Sequence, residues 1–115
     1  MKVYSLKTCD TCKKALNWLA AQNAEFSVQD VRADGITAAE VANVVNTLGW
    51  ELAVNRRSTT WRQLDDAQKA GLDSATAIDL ISANPTLMKR PVFVSGDKML
   101  AGFTPKMQAA LETWI

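Results

Sequence analysis

Two cysteines three residues apart are the residues of this chain whose type and spacing point most directly to chemistry. Cys9 and Cys12 form a Cys-x-x-Cys motif that follows a predicted strand and opens a predicted helix. At a helix N-terminus, free backbone amides and the positive end of the helix dipole favour the thiolate form of Cys9. Cys12 lies one turn further along, where its thiol could attack a mixed disulfide formed on Cys9. The motif therefore predicts dithiol–disulfide exchange, with Cys9 as the attacking thiol and Cys12 as the resolving thiol.

Two other interpretations of the pair remain open at this point. Free cysteines are often small, inert residues of a hydrophobic core. Alternatively, the two thiolates could supply half of a metal site that Asp10 or a second subunit completes. Asp10 and Thr11 themselves are interpreted as helix-cap residues rather than as acid–base catalysts. Redox exchange without a bound metal is the interpretation that the motif favours.

The composition excludes several types of catalytic and metal-binding site. The 115 residues contain no histidine, which excludes a Cys–His or Ser–His nucleophile pair and a histidine-based zinc site. Two thiolates alone cannot close a structural zinc site, which takes four ligands. Thirteen basic residues against twelve acidic ones give a formal charge of +1, so no excess of charge points to nucleic acid or a membrane surface. We therefore expect no bound metal or cofactor, and no nucleic-acid or membrane partner.

The length and the N-terminal sequence predict a single cytoplasmic domain. A chain of 115 residues with 48% apolar residues has the size of one domain and enough material for its core. The first apolar stretch is too short for a signal peptide, and no later run approaches the ~20 residues of a membrane span. Thiols are kept reduced in the cytoplasm, which favours redox turnover over a permanent disulfide. Nothing in the sequence requires more than a monomer.

Four short apolar segments predict the strands that position the cysteines. One precedes the Cys-x-x-Cys motif and one follows its helix, which makes a β-α-β unit. Two more lie near the C-terminus, joined by a turn at 95–98, and form a hairpin before a last helix. Together they predict a four-stranded mixed sheet of the α/β class, β-α-β then β-β-α. The predicted strands are Val3–Leu6, Phe26–Val31, Val92–Val94 and Met99–Ala101.

Two helices are expected to pack on this sheet. The first runs from about Asp10 to Gln22, and the last follows the Thr104-Pro105 cap. The spacing of apolar residues indicates which side chains point inward. These are Leu16, Leu19 and Ala20 in the first helix, and Met107, Leu111 and Trp114 in the last.

Residues 37–84 are predicted to be a helical insertion between the two halves of a single domain that spans 1–115. Two capping-box spacings, Thr37 with Glu40 and Thr60 with Gln63, mark helix starts. The segment lacks enough core to stand alone as a domain. Its predicted helices run from the Thr37 cap to Gly49, from Trp61 to about Lys69, and from Ser74 to Ala83.

With these motifs in order, the chain resembles a thioredoxin fold and, more narrowly, the arsenate-reductase-like (ArsC/Spx) family. The resemblance runs nearly from end to end, and the joint occurrence of its motifs is specific. The run Thr59-Thr60-Trp61-Arg62 is particularly similar to the YffB branch of the family. The matching segments are 8–15 (TCDTCKKA), 18–19 (WL), 34–35 (DG), 48–50 (LGW), 55–62 (NRRSTTWR) and 89–91 (KRP).

The resemblance implies a set of site residues around Cys9, which corresponds to the reactive cysteine of the family. It implies that Arg57 and Arg90 flank this thiol, and that Pro91 follows a cis peptide bond and faces it. Two guanidiniums would hold a thiolate ionised and offer fork-shaped donors to an oxyanion or a carboxylate. Lys7 adds a positive charge nearby. The predicted catalytic residues are Cys9, Cys12, Arg57 and Arg90, and the predicted substrate-binding residues are Lys7, Arg57, Arg90 and Pro91.

Other residues near these motifs are expected to be structural. Arg56 and Arg62 are interpreted as solvated surface charges, the usual fate of arginine. Trp50 and Trp61 are interpreted as packing residues between the insertion and the sheet. None of the four is predicted to take part in the chemistry.

Two departures from the family pattern bear on function. Arsenate reductases of the family have a third arginine shortly after the hairpin, where this chain has residues 102–105 (GFTP) with Lys106 as the only base nearby. One lost guanidinium would weaken oxyanion binding by ~1.5–3 kcal/mol, tenfold or more. Those enzymes also have no resolving cysteine at the position of Cys12. Cys12 therefore favours dithiol–disulfide exchange over arsenate chemistry.

Taken together, the sequence predicts a thiol–disulfide oxidoreductase that acts on a small thiol or disulfide. Glutathione is expected as a co-substrate, or glutaredoxin as a partner. Two alternatives follow from the resemblance. The first is arsenate reduction. The second is a redox-sensing regulator of the Spx type, since Spx proteins also carry Cys-x-x-Cys and act by binding RNA polymerase.

Overall fold

A four-stranded mixed sheet forms the centre of the computed structural model, which describes residues 1–115. Its strands are β1 (Lys2–Ser5), β2 (Ser27–Asp30), β3 (Val92–Ser95) and β4 (Lys98–Ala101). They stand in the order β2-β1-β3-β4. β1 runs parallel to β2 and antiparallel to β3, and β4 pairs antiparallel with β3. The predicted thioredoxin-like sheet, β-α-β then β-β-α, is confirmed.

Seven α-helices accompany the sheet, and five of them lie between β2 and β3. A short 3-10 helix, Pro85–Leu87, precedes β3. No helix is both long and apolar enough to cross a membrane. The helices are α1 (Asp10–Ala21), α2 (Ala38–Leu48), α3 (Trp50–Ala53), α4 (Thr59–Gln63), α5 (Asp66–Ala70), α6 (Ser74–Ala83) and α7 (Pro105–Glu112).

The sheet separates two apolar clusters, because successive side chains of a strand point to opposite faces. Val3 and Phe93 belong to the smaller cluster, together with buried residues of α1 and α7. Tyr4 and Val92 belong to the larger cluster, which the insertion helices cover. The insertion therefore shares its core with the sheet. Its buried contributions to the larger cluster are Val41, Val44, Val45, Ala53, Val54, Ala77 and Ile81.

The predicted inward face of α1 is partly wrong. Leu19 is buried as predicted and Leu16 is half-buried, but Ala20 is exposed. The buried positions are Cys12, Ala15 and Leu19, with the i, i+3, i+7 spacing of one helical stripe. Ala20 lies one residue past this stripe, so it points to solvent. The face that packs on the sheet therefore includes the second cysteine.

The start of α7 agrees with the sequence pattern. The Thr104 hydroxyl accepts a hydrogen bond from Met107 N at 3.3 Å, and Pro105 occupies the first turn. Leu111 is buried, while Met107 and Trp114 are half-buried. The predicted N-cap is therefore confirmed, and Leu111 is the residue that anchors the helix in the smaller cluster.

One predicted helix of the insertion is wrong. In place of a helix over Trp61–Lys69, the chain forms two short helices, α4 and α5, separated by the extended residue Leu64. The N-cap of α4 is Ser58, whose hydroxyl accepts a hydrogen bond from Trp61 N at 3.0 Å, so the predicted capping box at 60–63 is wrong as well. α5 then begins at a capping box of its own. Because each helix begins at its own N-cap, each is only about one turn long.

Glu40 ties the insertion to the sheet. As predicted, Thr37 and Glu40 form a capping box at the start of α2. The Glu40 carboxylate also accepts hydrogen bonds from Tyr4 Oη in β1 (3.1 Å) and from Gln29 Nε2 in β2 (3.2 Å). Hydrogen bonds from the Thr37 amide, Gln29 and Tyr4 outweigh the effect of burial and lower the pKa of Glu40 to about 2. Burial, together with this carboxylate, raises the pKa of Tyr4 to about 12.

Candidate active site

Cys9 lies between β1 and α1 and is the N-cap residue of the helix. The chain turns here through a backbone hydrogen bond from Cys9 N to Leu6 O (3.0 Å), and Cys9 O accepts one from Lys13 N (3.1 Å). The Cys9 side chain makes no hydrogen bond that caps the helix, and it is half-buried. Its sulfur is therefore partly accessible and belongs to the end of the helix where backbone amides lack helical partners.

Cys12 lies one turn deeper and is buried, with 1% of its surface exposed. Burial, and then a hydrogen bond with the Cys9 thiol, raise the pKa of Cys12 to about 11. Both cysteines are free thiols, and no third Cys, Asp or Glu side chain joins them in a cluster that could hold a metal ion. The pair is asymmetric, because an accessible thiol is in contact with a buried, protonated one.

Arg57 and Arg90 line the same cavity, which has a volume of about 370 Å³. Arg57 belongs to a turn before α4, in which its amide donates a hydrogen bond to Asn55 Oδ1 at 3.0 Å. Leu6, whose carbonyl oxygen accepts the hydrogen bond of the Cys9 amide, forms part of the wall. The cavity thus adjoins the turn that carries Cys9. Its lining residues are Leu6, Arg32, Asn55, Arg57, Ser58, Thr59, Thr60, Thr86 and Arg90.

Backbone carbonyl groups fix the Arg90 guanidinium. Its Nη1 donates to Thr86 O at 2.7 Å and to Met88 O at 2.8 Å, while its buried Nε has no hydrogen-bond partner. The Arg90–Pro91 peptide bond is cis, as the resemblance implies. Pro91 is buried immediately before β3, and its carbonyl oxygen accepts a hydrogen bond from Gly102 N at 2.8 Å. Arg90 is therefore presented to the cavity in a defined orientation.

Lys7 lies in an adjoining depression rather than in this cavity. It is exposed, and its amide donates a hydrogen bond to Asp30 Oδ2 at 2.9 Å. The depression, of about 240 Å³, is also lined by Leu6 and Arg32, which line the larger cavity too. The structure therefore brings Arg57 and Arg90 together and places Lys7 beside them, on the segment that leads to Cys9.

Arg32 is the site residue that sequence reasoning missed. It lies two residues after the end of β2 and lines both the cavity of Arg57 and Arg90 and the depression of Lys7. β1 and β2 are parallel, so their carboxyl ends meet at one edge of the sheet. The segment after β1 carries Cys9, and the segment after β2 carries Arg32. A basic residue directly after the second strand of a β-α-β unit was the signal that could have identified it.

Arg56 and the two tryptophans form a packed unit outside the cavity. The Arg56 Cζ lies 5.8 Å from the Trp50 ring centroid and 6.0 Å from the Trp61 ring centroid. Both rings are half-buried and pack against the larger apolar cluster, which confirms their predicted packing role. Arg56 is exposed as predicted, yet its guanidinium is also held by the ring faces.

Comparisons with known proteins agree with this fold. The model of the ArsC family matches residues 4–111. The chain belongs to the ArsC family. It is 46% identical over 104 residues to an uncharacterised protein of Haemophilus influenzae, covering 90% of this chain and 91% of that protein. The solved structure of a YffB protein matches with a TM-score of 0.88 and 42% identity, covering 95% of this chain and 96% of that one.

Regulators are also among the relatives of this ArsC-family chain. The global transcriptional regulator Spx of Streptococcus pyogenes is 28% identical over 99 residues, covering 84% of this chain and 72% of that protein. The chain therefore has the fold of the arsenate-reductase-like thiol oxidoreductases, and it shares that fold with a transcriptional regulator. Membership establishes the fold, and the cysteines and the cavity carry the argument about chemistry and substrate.

Proposed function

We propose that this ArsC-family protein is a thiol–disulfide oxidoreductase that uses glutathione as its co-substrate, with Cys9 as the attacking thiol and Cys12 as the resolving thiol. The observation that carries the proposal is the asymmetry of the pair. Cys9 is half-buried at the N-cap of α1, and Cys12 is buried in contact with it. An accessible thiol next to a buried one is the arrangement that assigns the two roles.

The proposed reaction has two exchange steps. The Cys9 thiolate attacks one sulfur of the substrate disulfide, a mixed disulfide forms, and the other substrate sulfur leaves as a thiolate. The Cys12 thiol then loses its proton to that departing thiolate and attacks the Cys9 sulfur. The mixed disulfide breaks, and the second substrate sulfur leaves as a thiolate. The substrate gains two electrons and the protein becomes the Cys9–Cys12 disulfide. Two glutathione molecules restore the dithiol and are themselves oxidised to glutathione disulfide.

The arginine cavity supports glutathione as the thiol. Glutathione carries two carboxylates, and guanidinium groups bind carboxylates through paired, charge-assisted hydrogen bonds. Arg57 and Arg90 line one cavity, and Leu6 in its wall is hydrogen-bonded to Cys9. A thiol held at Cys9 can therefore place its carboxylates against the arginines. The reducing cytoplasm expected for this chain supplies glutathione in its thiol form.

The test of this proposal traps the first intermediate. Cys12→Ser is mixed with glutathione disulfide at near-neutral pH and the product is weighed by mass spectrometry. We expect one glutathionyl group on Cys9, because the resolving thiol is absent. Cys9→Ser is the matched control and should gain none, while the wild type should finish as the internal disulfide. Absence of an adduct on Cys9 in Cys12→Ser would contradict the proposal.

Arsenate reduction is a second candidate, favoured by family membership and by the two arginines that share a cavity. A coupled glutathione–glutaredoxin assay that follows arsenate-dependent NADPH consumption measures it. Activity that is lost in Arg57→Ala and kept in Arg62→Ala would support arsenate as a substrate bound in this cavity. Absence of arsenate-dependent consumption in the wild type would reject it.

A redox-gated regulator is a third candidate, favoured by the similarity to Spx and by the Cys-x-x-Cys motif. Its discriminating test is capture of the C-terminal domain of the RNA polymerase α-subunit by the oxidised and the reduced protein. Capture by the oxidised protein, with no disulfide turnover in the first test, would favour this class. Equal or absent capture would reject it.

A further inference from the structure

We propose that Arg32 completes, with Arg57 and Arg90, a binding site for a ligand with two separated carboxylates. The site would thereby select glutathione over uncharged thiols and disulfides. This inference rests on the proposed glutathione-dependent exchange at Cys9 and names the residue that decides its substrate class. Three guanidiniums from three separate segments line one cavity: Arg32 follows β2, Arg57 precedes α4 and Arg90 precedes β3.

The charge balance of the cavity is the first argument. Its lining contains three arginines and no acidic side chain. None of these arginines forms a salt bridge with a carboxylate, since the one salt bridge of the chain joins Lys2 and Glu40. Like charges gathered around a common space repel one another unless an anion lies among them. The remaining polar lining consists of Asn55 and four hydroxyl groups, which are neutral hydrogen-bonding groups suited to a ligand's peptide bonds.

The local structure that holds Arg32 is the second argument. The buried Asp30 carboxylate accepts hydrogen bonds from Arg32 N (2.9 Å), Ala33 N (2.7 Å) and Lys7 N (2.9 Å). Burial opposes ionisation of this carboxyl, but these backbone amides outweigh burial and lower the pKa of Asp30. The Asp30 carboxylate is thus engaged with backbone amides, and the Arg32 guanidinium forms no salt bridge. The same carboxylate fixes Lys7, two residues before Cys9, so one turn structure positions both Arg32 and the reactive segment.

The position of the cavity relative to Cys9 is the third argument. Leu6 lines the cavity and accepts the hydrogen bond of the Cys9 amide. Thr60 and Thr86 also line the cavity, and their hydroxyl groups lie 2.6 Å apart and join α4 to the 3-10 helix. A ligand whose sulfur reacts at Cys9 can therefore extend across a polar cavity of about 370 Å³. Arg32, two residues after the end of β2, supplies the third guanidinium of this cavity.

Equilibrium binding tests the site without relying on the reactivity of Cys9. The ligand is S-methylglutathione, a thioether that cannot form a disulfide, and its affinity is measured by calorimetry. We expect Arg32→Ala to weaken binding about tenfold or more, and Arg32→Lys to recover part of the loss, because the ammonium keeps the charge without the fork. Arg62→Ala, which removes an exposed guanidinium outside the cavity, should change affinity less than about twofold.

The ligand carboxylates provide the reciprocal control. The diester of S-methylglutathione, which lacks both carboxylates, should bind the wild type as weakly as the parent ligand binds Arg32→Ala, or more weakly. Equal binding of the diester and the parent ligand would overturn the inference, as would an unchanged affinity in Arg32→Ala. Thermal unfolding of each variant checks the fold. Arg32 is exposed, so both substitutions should leave the midpoint close to that of the wild type.

Reaction rates separate ligand recognition from an effect on Cys9. In the Cys12→Ser background, the rate of Cys9 mixed-disulfide formation is measured with glutathione disulfide and with the uncharged 2-hydroxyethyl disulfide. Arg32→Ala should slow the first reaction about tenfold and the second less than about twofold. Equal slowing of both reactions would mean that Arg32 acts through the thiol, and would overturn the inference.

The two assays distinguish failure of this inference from failure of the proposed function. Binding that depends on Arg32, with no reaction at Cys9, rejects the exchange chemistry and retains the carboxylate site. Reaction at Cys9 without any discrimination that depends on Arg32 rejects the carboxylate site and retains the exchange chemistry. Neither binding nor reaction rejects both.

Discussion

Residue burial makes two cysteines of identical chemistry unequal. Cys9 is the N-cap residue, just before the first residue of α1, and its side chain is partly exposed to solvent. Cys12 is one turn further on, in line with Ala15 and Leu19 on the stripe that packs under the sheet. That single turn makes one thiol accessible and keeps the other protonated, because burial disfavours its charged form.

Selective alkylation measures this inequality. During a short exposure to iodoacetamide at neutral pH, we expect modification of Cys9 and almost none of Cys12, whose pKa is raised to about 11 mainly by burial. Both cysteines lie between Lys7 and Lys13, so fragmentation of one tryptic peptide locates the label. In Cys9→Ser, Cys12 should stay unmodified until the protein is unfolded. Comparable labelling of both thiols in the native protein would contradict the assigned roles.

The sequence alone could identify the cysteines but not all of the arginines. Cys9 and Cys12 form a local motif, so their placement on the helix followed from spacing. Arg57 and Arg90 are identifiable only from the family resemblance, because no local sequence pattern connects the two positions. Arg32 belongs to no motif, and its place in the cavity results from the parallel pairing of β1 with β2. Residues that meet through sheet topology need the fold before they can be assigned.

At the scale of elements, competition between local signals explains the errors in the insertion. Thr60 is the predicted N-cap of the short helix, whereas the observed N-cap is Ser58. Ser58 prevails because it already closes a turn with Asn55: its amide and its hydroxyl both donate to Asn55 O, at 3.2 Å and 2.7 Å. The same turn presents Arg57 to the cavity. α3, four residues directly after Gly49, was missed because it is too short to show periodicity.

The junction of the insertion with the sheet should depend on the charge of Glu40. We expect Glu40→Gln to lower the free energy of unfolding by ~1–2 kcal/mol at pH 7, because Tyr4 and Gln29 lose a charged acceptor. The pKa of Glu40 falls from 4.5 to about 2 in the folded protein. Because the pKa of Glu40 is lower in the folded than in the unfolded protein, its ionised carboxylate contributes its full stabilisation above the unfolded pKa. This contribution to the free energy of unfolding is lost as the pH falls toward 2.

Urea unfolding of the wild type and Glu40→Gln at pH 7 and pH 3 tests this junction. The difference between the two proteins should be smaller at pH 3 than at pH 7. Glu51→Gln, an exposed residue of α3, is the matched control and should show little effect at either pH. A difference that is constant or larger at pH 3 would show that the charge of Glu40 does not stabilise the junction.

Across the whole molecule, a nearly neutral chain has a strongly uneven charge distribution. The formal charge is +1, yet Arg32, Arg57 and Arg90 line one cavity with no acidic side chain. This cavity lies beside the segment after β1, at the edge of the sheet where Cys9 enters α1. The order of elements was enough to predict the sheet. The clustering of the three arginines was not predictable, because it depends on how the insertion packs against that edge of the sheet.

The uneven charge predicts a salt dependence that differs between substrates. Glutathione disulfide is an anion, so its reaction with Cys9 should slow several-fold as ionic strength rises from about 0.01 M to 0.15 M, where the screening length falls from ~30 Å to ~8 Å. The reaction with 2-hydroxyethyl disulfide should hardly change. Stopped-flow rates in the Cys12→Ser background measure both. Equal slopes for the two disulfides would show that the arginines do not attract the substrate.

Titration of the wild-type protein against glutathione redox buffers tests the central claim most directly, namely that Cys9 and Cys12 act as one dithiol–disulfide couple. Mass spectrometry after acid quenching counts the species at each ratio of reduced to oxidised glutathione. The predicted result is a single two-electron transition between the dithiol and the Cys9–Cys12 disulfide, with glutathione on Cys9 only as a minor species. A protein that passes directly to a stable Cys9–glutathione adduct, with no internal disulfide at any ratio, would contradict the account.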